Sequence, residues 1–335
     1  MKKLSRILIA TGAAAVSVLL ACGVYKGYHS YQMKRQIEAD IEAKRSTDTS
    51  EAAPAKGIIE LDGKKYRRNT SIRATLCMGI DTSGNLESQR VSGAGGQSDG
   101  IFLVAQDMAR DTVKIVMIPR DTMTEITLFD LEGNELGQDI QHLTLAFAYG
   151  DGREKSCKLM SEAVSNLFFG LRIDGYIAVN TSAIAILNDD IGGVPVTVED
   201  VNGRKVKLLL KGKEAENFVR SRDVTVAQSA LGRMKRQQQY IQSYIQTARA
   251  AAEEDDQLVS RMMNDIQDYM ITNMSKDRYL KMGMSVLNSE QLVSDRDFIT
   301  IPGQAVETQL FDEYHPDQEA LKRITVELFC KEIDG

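Results

Sequence analysis

The chain has 335 residues, too long for one small domain and long enough for a large core. Its net charge of −6 gives no global basic field, which argues against nucleic acid as a partner. Trp is absent, the four Cys (Cys22, Cys77, Cys157, Cys330) form no CxxC, and the three His (His29, His142, His315) are not at ligand spacing, so carbohydrate-stacking platforms, zinc frameworks, dense disulfide frameworks and Ser-His-Asp chemistry are all poorly supplied.

Lys2, Lys3 and Arg6 precede an apolar run over 7–24, close to the roughly 20 residues that a helix needs to cross a bilayer. Basic residues before such a segment favour a cytoplasmic start with the rest of the chain outside. An uncleaved anchor fits the run best. The lipobox-like Leu19-Leu20-Ala21-Cys22 offers lipidation of Cys22 as an alternative, and a cleaved signal peptide is the third reading. All three place the body of the protein outside the membrane. The expected division is a cytoplasmic start and membrane segment over 1–25, a polar stalk over 26–56 containing Pro54, and a folded extracellular domain over 57–335.

Within the body, 58–68 reads as a hairpin turning at Asp62-Gly63. A strand over 72–80 ends in Met78-Gly79-Ile80-Asp81. It stands the Asp81 carboxylate at a strand's carboxyl end, beside a glycine that permits close approach. A Ser/Gly/Gln-rich loop over 82–98 closes on Ser98-Asp99, and an apolar strand over 101–105 follows. Asp81 thus ends one strand and Asp99 begins the next, so a loop folding back brings two carboxylates together. Juxtaposed carboxylates repel and usually share a cation. Oxygen donors without Cys or His suit Mg2+ or Mn2+. The alternative is a pair of solvated, turn-capping aspartates.

The next apolar strand, over 113–118, stops at Pro119, which has no N–H for a sheet ladder. Arg120-Asp121 stand at its end, where an open α/β sheet presents its chemistry. The plainer reading of the pair is a salt bridge that tidies a turn. A hairpin is expected over 124–134, then a helix beginning within 140–149 and broken by Gly150-Asp151-Gly152. Leu159, Ala163, Val164, Leu167 and Phe168 fall at helical spacing over 156–169. A strand over 173–180 leads to a short helix over 181–187 with Thr181 as its N-cap, and Ile191-Gly192-Gly193 turns into a further strand.

A second constellation follows. A helix over 212–219 runs into Arg220-Ser221-Arg222-Asp223, and a long helix over 230–251 opens with Arg233, Lys235, Arg236, Gln237 and Gln238. Arg233, Arg236 and Gln237 share one helical face. Asp223 is the only acid between Asn217 and Ala252, so the four arginines make a local positive cluster suited to phosphate oxygens. A solvated basic face is the alternative. Helices over 258–270, 276–287 and 316–329, with a strand over 298–301 ending at Pro302-Gly303, complete the chain. Strands alternating with helices predict an α/β/α sandwich, a central mixed sheet flanked by helices and preceded by a single membrane segment.

Seven segments recur in order over residues 70–250. They are Met78-Gly79-Ile80-Asp81, Ser98-Asp99, Ile118-Pro119-Arg120-Asp121-Thr122, Ala146-Phe147-Ala148-Tyr149-Gly150, Ile191-Gly192-Gly193-Val194, Val219-Arg220-Ser221-Arg222 and Gly232-Arg233-Met234-Lys235-Arg236-Gln237-Gln238, with Ile301-Pro302-Gly303 beyond them. Together they resemble the LytR-CpsA-Psr family of Gram-positive cell-wall phosphotransferases. The resemblance implies an enzyme that moves a polyprenyl-pyrophosphate-linked glycopolymer, such as teichoic acid or capsule, onto peptidoglycan through a phosphodiester. It implies Asp81 and Asp99 as Mg2+ ligands, and Arg120, Arg220, Arg222, Arg233, Arg236 and Gln237 around the pyrophosphate. Arg120, Asp121 and Arg222 would be catalytic. A tunnel of Ile, Leu, Val, Met and Phe between sheet and helices would take the prenyl tail, and the membrane would hold the chain by its N-terminal segment. Three places depart from the family's pattern: Gln97 where members often carry Arg, Ala230 where an acid is common, and Gln141-His142-Leu143 in place of Asn-His-Ala. Two other functions draw on the same residues: a non-catalytic module that binds polyprenyl phosphate or anionic polymer, and a pyrophosphatase acting on lipid carriers.

Overall fold

The apolar runs bounded by Gly, Pro and Asp gather into one sheet, seen in a computed structural model that describes residues 58–333 apart from 90, 92, 131, 200–201, 223–228, 290–296 and 309–310. The expected membrane segment, stalk, Cys22 and Asp223 lie outside the described residues. Among those described, no helix is long and apolar enough to cross a membrane.

Strands β1 (Ile58–Leu61) and β2 (Lys64–Arg68) form the expected hairpin, with Asp62 and Gly63 at φ of 51° and 77° in its turn. Strands β3 (Ile72–Ile80), β4 (Ser98–Asp107) and β5 (Thr112–Met117) follow. A second hairpin, β6 (Met123–Phe129) and β7 (Glu135–His142), precedes helices α1 (Thr144–Ala148) and α2 (Glu154–Leu167). Next come β8 (Gly175–Asn180), α3 (Thr181–Asp190) and a third hairpin, β9 (Val194–Glu199) with β10 (Lys205–Leu210). Helices α4 (Lys213–Arg220), α5 (Ser229–Glu254) and α6 (Leu258–Asp265) lead to β11 (Met270–Thr272), α7 (Lys276–Asn288) and β12 (Phe298–Thr300). The chain closes with β13 (Gly303–Glu307), β14 (Asp312–Pro316), α8 (Gln318–Phe329) and β15 (Cys330–Ile333).

The central sheet has the order β11-β8-β3-β4-β5-β12. Its β8–β3 and β5–β12 pairs are parallel and the others antiparallel, so the sheet is mixed. Side chains alternate across a strand, and the alternation builds two apolar layers. One face carries Leu76, Met78, Leu103 and Val116 against Phe147 of α1, Met160 of α2, Phe168 just past its end and Phe329 of α8. Cys77, Phe102, Val104 and Ile115 face the other way, toward Ile241 and Ile245 of α5 and Met282 of α7. A further cluster joins α3, the β9–β10 hairpin, α5 and α6.

Some elements differ from expectation. Residues 140–142 are strand, because β7 stays paired with β6 as far as Met123↔His142, and the helix is reduced to the single turn of α1. The helix expected over 258–270 ends at Asp265, and Met270–Thr272 leave it to pair with β8 at the sheet's edge. Asn180, not Thr181, caps α3, its side chain accepting from the Ser182 N–H at 3.1 Å. The β13–β14 hairpin and the β15–β2 pairing were not anticipated; all three added strands are short and largely polar, and β15 pairs with a strand at the other end of the folded body.

Candidate active site at the end of the central sheet

Because β3 and β4 run antiparallel, the end of one meets the start of the other. The register shifts between Gly79↔Gly100 and Ile80↔Ser98, which leaves Asp99 outside the pairing. The intervening loop folds back: the Asp81 N–H donates to the Gln97 carbonyl at 3.1 Å, and the Gln97 N–H donates to Asp81 Oδ1 at 2.7 Å. Asp81 and Asp99 thereby line one cavity, with Gly79 and Gly100 offering bare backbone between them.

A turn presents Arg120. Beyond β5, the Thr122 hydroxyl donates to the Pro119 carbonyl at 2.7 Å and the Thr122 N–H does so at 3.1 Å. The guanidinium is held on three sides. Its Nε donates to Asp121 Oδ1 at 3.1 Å, one Nη donates to Gln97 Oε1 at 2.6 Å, and the other pairs with Asp99. Arg233, from the first turns of α5, donates to the second Asp99 oxygen at 2.6 Å. Asp99 is therefore clamped between two guanidiniums.

Arg233 is only 6% exposed, and its Nη2 is buried with no hydrogen-bond partner. Burial pushes its pKa below the ordinary arginine value, and the Asp99 carboxylate opposes that shift. An orphaned, buried, charged donor is costly, and an incoming anionic oxygen relieves the cost.

The remaining arginines divide. Arg222 donates from Nε to Ser229 Oγ at 2.6 Å and stands 3.9 Å from the Asp312 carboxylate of β14. Arg220 lines the cavity but pairs with Glu216 at 2.8 Å, one turn back on α4. The expectation of an acid-free neighbourhood stopped at Asn217, one residue short of this partner. Gln237 lines the cavity and sits 3.4 Å from the Val219 carbonyl, to which its side-chain amide donates. Arg236 does not join them; it turns to the Ser221 carbonyl, beside Leu208 and Leu209.

The cavity measures about 220 Å³ and runs from Asp81 and Asp99 along apolar walls: Cys77, Phe102, Ile177 and Val179 of the sheet, Ile184 of α3, and Tyr240 and Ile241 of α5. A second space, about 680 Å³, lies beyond Arg120 and is lined by Gln97, Asp121, Arg222, His142 and Asp312. Gln97, which stands where family members often carry Arg, bonds both Asp81 and Arg120. Glu216 was legible at its i,i+4 spacing from Arg220. Asp312 was not, because the hairpin that carries it lies far along the chain.

The LytR_cpsA_psr family profile matches residues 24–329. The chain belongs to the LytR-CpsA-Psr family. Among LytR-CpsA-Psr relatives, the Bacillus cereus protein named polyisoprenyl-teichoic acid–peptidoglycan teichoic acid transferase TagU is 29% identical over 235 residues, 68% of each chain. A Bacillus anthracis protein of the same name is 28% identical over 247 residues, 72% of each chain. The fold is that of Bacillus subtilis TagV, with a TM-score of 0.58 at 19% identity over 78% of this chain and 96% of that one. It is also that of TagT bound to LIIa-WTA, with a TM-score of 0.54 at 21% identity over 77% and 90%. Of the departures from the LytR-CpsA-Psr pattern, Ala230 is buried at the start of α5 and Gln97 stands in the Arg120 frame.

Proposed function

We propose that this protein transfers a polyprenyl-pyrophosphate-linked anionic glycopolymer, of the teichoic acid or capsule class, onto a peptidoglycan hydroxyl, with its N-terminal segment anchoring the domain on the outer face of the cell membrane. The observation that carries the reading is an apolar cavity ending in a guanidinium–carboxylate cluster at the end of the central sheet. The cavity suits a prenyl chain and the cluster a pyrophosphate. The names of the relatives support the polymer and the acceptor.

Phosphoryl transfer asks for positioning and charge neutralisation more than for a covalent nucleophile. Arg120 and Arg233 hold the pyrophosphate oxygens, and the orphaned Arg233 Nη2 gains an acceptor. Asp99, Gln97 and Asp121 fix the Arg120 guanidinium beforehand, so little reorganisation attends the reaction. The acceptor oxygen bonds to the phosphorus that carries the polymer, its proton passes to the Asp121 carboxylate, and the bond from that phosphorus to the prenyl phosphate breaks. Arg222 steadies the charge from the far side.

The carboxylate oxygens of Asp81 and Asp99 suit Mg2+ or Mn2+, which would share the Asp99 oxygens with Arg120 and Arg233. Among the described residues, no group of three or more Asp, Glu, His or Cys side chains is placed to hold a metal ion, so Asp81 and Asp99 would hold one only together with the substrate. An ion held there would supply positive charge against the phosphate oxygens.

The test follows labelled lipid-linked polymer into peptidoglycan. Wild type with Mg2+ is expected to transfer label and to stop when the metal is chelated. Arg120→Ala should lose about a thousandfold in rate with its thermal unfolding little changed. Full activity in both Arg120→Ala and Arg222→Ala would overturn the assignment. Tight donor binding without any transfer would favour a non-catalytic module.

A further inference from the structure

The cleft beyond Arg120 has a composition that the donor site does not use. It measures about 680 Å³ and lies between the β6–β7 hairpin, α1 and the β13–β14 hairpin. Phe311 stands in its wall at 65% exposure, the most exposed large apolar side chain among the described residues. The ring is presented, not loose. The Phe311 N–H donates to Thr308 Oγ1 at 3.0 Å, and that hydroxyl donates to the Phe311 carbonyl at 2.6 Å. His142 meets the ring edge-on, with centroids 5.9 Å apart at 74°, and its Nε2–H donates to the Asp312 carbonyl at 3.0 Å.

Four carboxylates line the same cleft, on Asp121, Glu307, Asp312 and Glu313; Asp121 is paired with Arg120, Asp312 stands 3.9 Å from Arg222 and Glu313 2.7 Å from His315. An exposed aromatic face beside carboxylate acceptors suits a pyranose: its C–H face lies on the ring and its hydroxyls donate to the acids. The same four charges repel an anionic polymer, even with Arg120 and Arg222 nearby. A neutral, hydroxyl-rich chain is the better occupant.

Direction of attack points the same way. In-line displacement puts the attacking and leaving oxygens on opposite sides of phosphorus. The prenyl phosphate leaves on the side of the apolar cavity, which Asp99 and Arg233 line. Arg120 and Asp121 line the cleft, so the attacking hydroxyl comes from there.

We propose that this cleft is the acceptor subsite, that it takes a neutral, hydroxyl-rich sugar chain, and that Phe311 stacks on one of its sugar faces. The proposal rests on the transferase reading above. The absence of Trp, which argued against a stacking platform, is met here by Phe311 with His142 behind it.

The same absence supplies the test, because Phe311→Trp gives the full chain its only Trp. Titrated with a neutral chito-oligosaccharide, its emission should change and saturate; titrated with poly(glycerol phosphate), it should not. Emission unmoved by the neutral sugar, or moved by the anionic polymer instead, overturns the proposal. In the transfer assay, Phe311→Ala should raise KM for a soluble peptidoglycan oligosaccharide about tenfold, with Phe311→Tyr restoring it. KM for the lipid-linked donor should move less than about twofold. An unchanged acceptor KM in Phe311→Ala, with transfer intact, overturns the subsite alone. A saturating titration in a protein that transfers no label to peptidoglycan leaves the sugar subsite standing and overturns the transferase reading.

Discussion

The two faces of the central sheet are built by the same strands and end differently. On one, Leu76, Met78 and Leu103 meet Phe147, Phe168 and Phe329 in a closed layer. On the other, Cys77, Phe102 and Ile177 border a space of about 220 Å³ before α3 and α5 are reached. Protein interiors are close-packed, and an apolar void forgoes dispersion contacts. The hollow face also collects the polar imperfections. Buried side-chain atoms without a partner occur on Asp190, Arg233, Arg236, Tyr244 and Arg278, on the helices of that side, and on Thr82 in the loop after β3. One face holds the fold together, and the other gives up stability where a ligand is to enter.

The largest effect should come from the closed face. Phe168 is fully buried and meets Phe329 edge-on, with centroids 6.4 Å apart at 80°. Phe168→Ala should cost about 3–5 kcal/mol, read from urea denaturation of the protein. Ile177→Ala, on the same sheet but against the void, should cost about 1–2 kcal/mol, because its neighbours already lack contacts on one side. Equal costs would erase the distinction between the faces.

A subtler effect sharpens it. Ile184 of α3 lines the cavity, and Ile184→Phe puts extra bulk into space that the chain leaves empty. Unfolding should shift little, while KM for the lipid-linked donor should rise about tenfold. An unchanged donor KM would mean that the prenyl chain does not lie in this cavity.

How much of this was legible in the sequence follows the same division. Five of the six strands of the central sheet were, all but the edge strand β11, because buried β-runs bounded by Gly, Pro and Asp leave few alternatives. So was the meeting of Asp81 and Asp99, since a loop that returns between adjacent antiparallel strands must bring their ends together. Strands β7, β11, β13, β14 and β15 were not. They are short or polar, so no apolar alternation marks them, and β11 and β15 also pair with strands far away in the chain. The arginine face was half legible. Residues four apart on a helix point nearly the same way, so Arg233 and Gln237 reach the cavity together. Arg236, at three, swings to the other side of that line and finds the Ser221 carbonyl. The link from Arg222 to Asp312 needed the β13–β14 hairpin, which the sequence did not announce.

The smallest expected effect tests whether the polar flaws of the hollow face carry a cost. Asp190 ends α3 with its Oδ2 buried and unpartnered, near the buried Tyr244 hydroxyl, which also lacks a partner. Burial pushes the Asp190 pKa above its ordinary 3.8, Asp265 adds to the shift, and Arg261 opposes it. A raised carboxylate pKa means that the folded state disfavours the charged form. Its contribution to stability is therefore intact below the ordinary value, and it is lost as pH rises through the folded one. At neutral pH the full penalty applies. Asp190→Asn removes the charge and keeps the shape, so it should raise the melting temperature at pH 7 by about 1–3 °C. The gain should shrink as pH falls into the carboxylate range, where the wild-type side chain is itself protonated. A gain of the same size at acid and neutral pH would show that the charge is not its source, and a loss at pH 7 would show that this corner of the hollow face is satisfied as it stands.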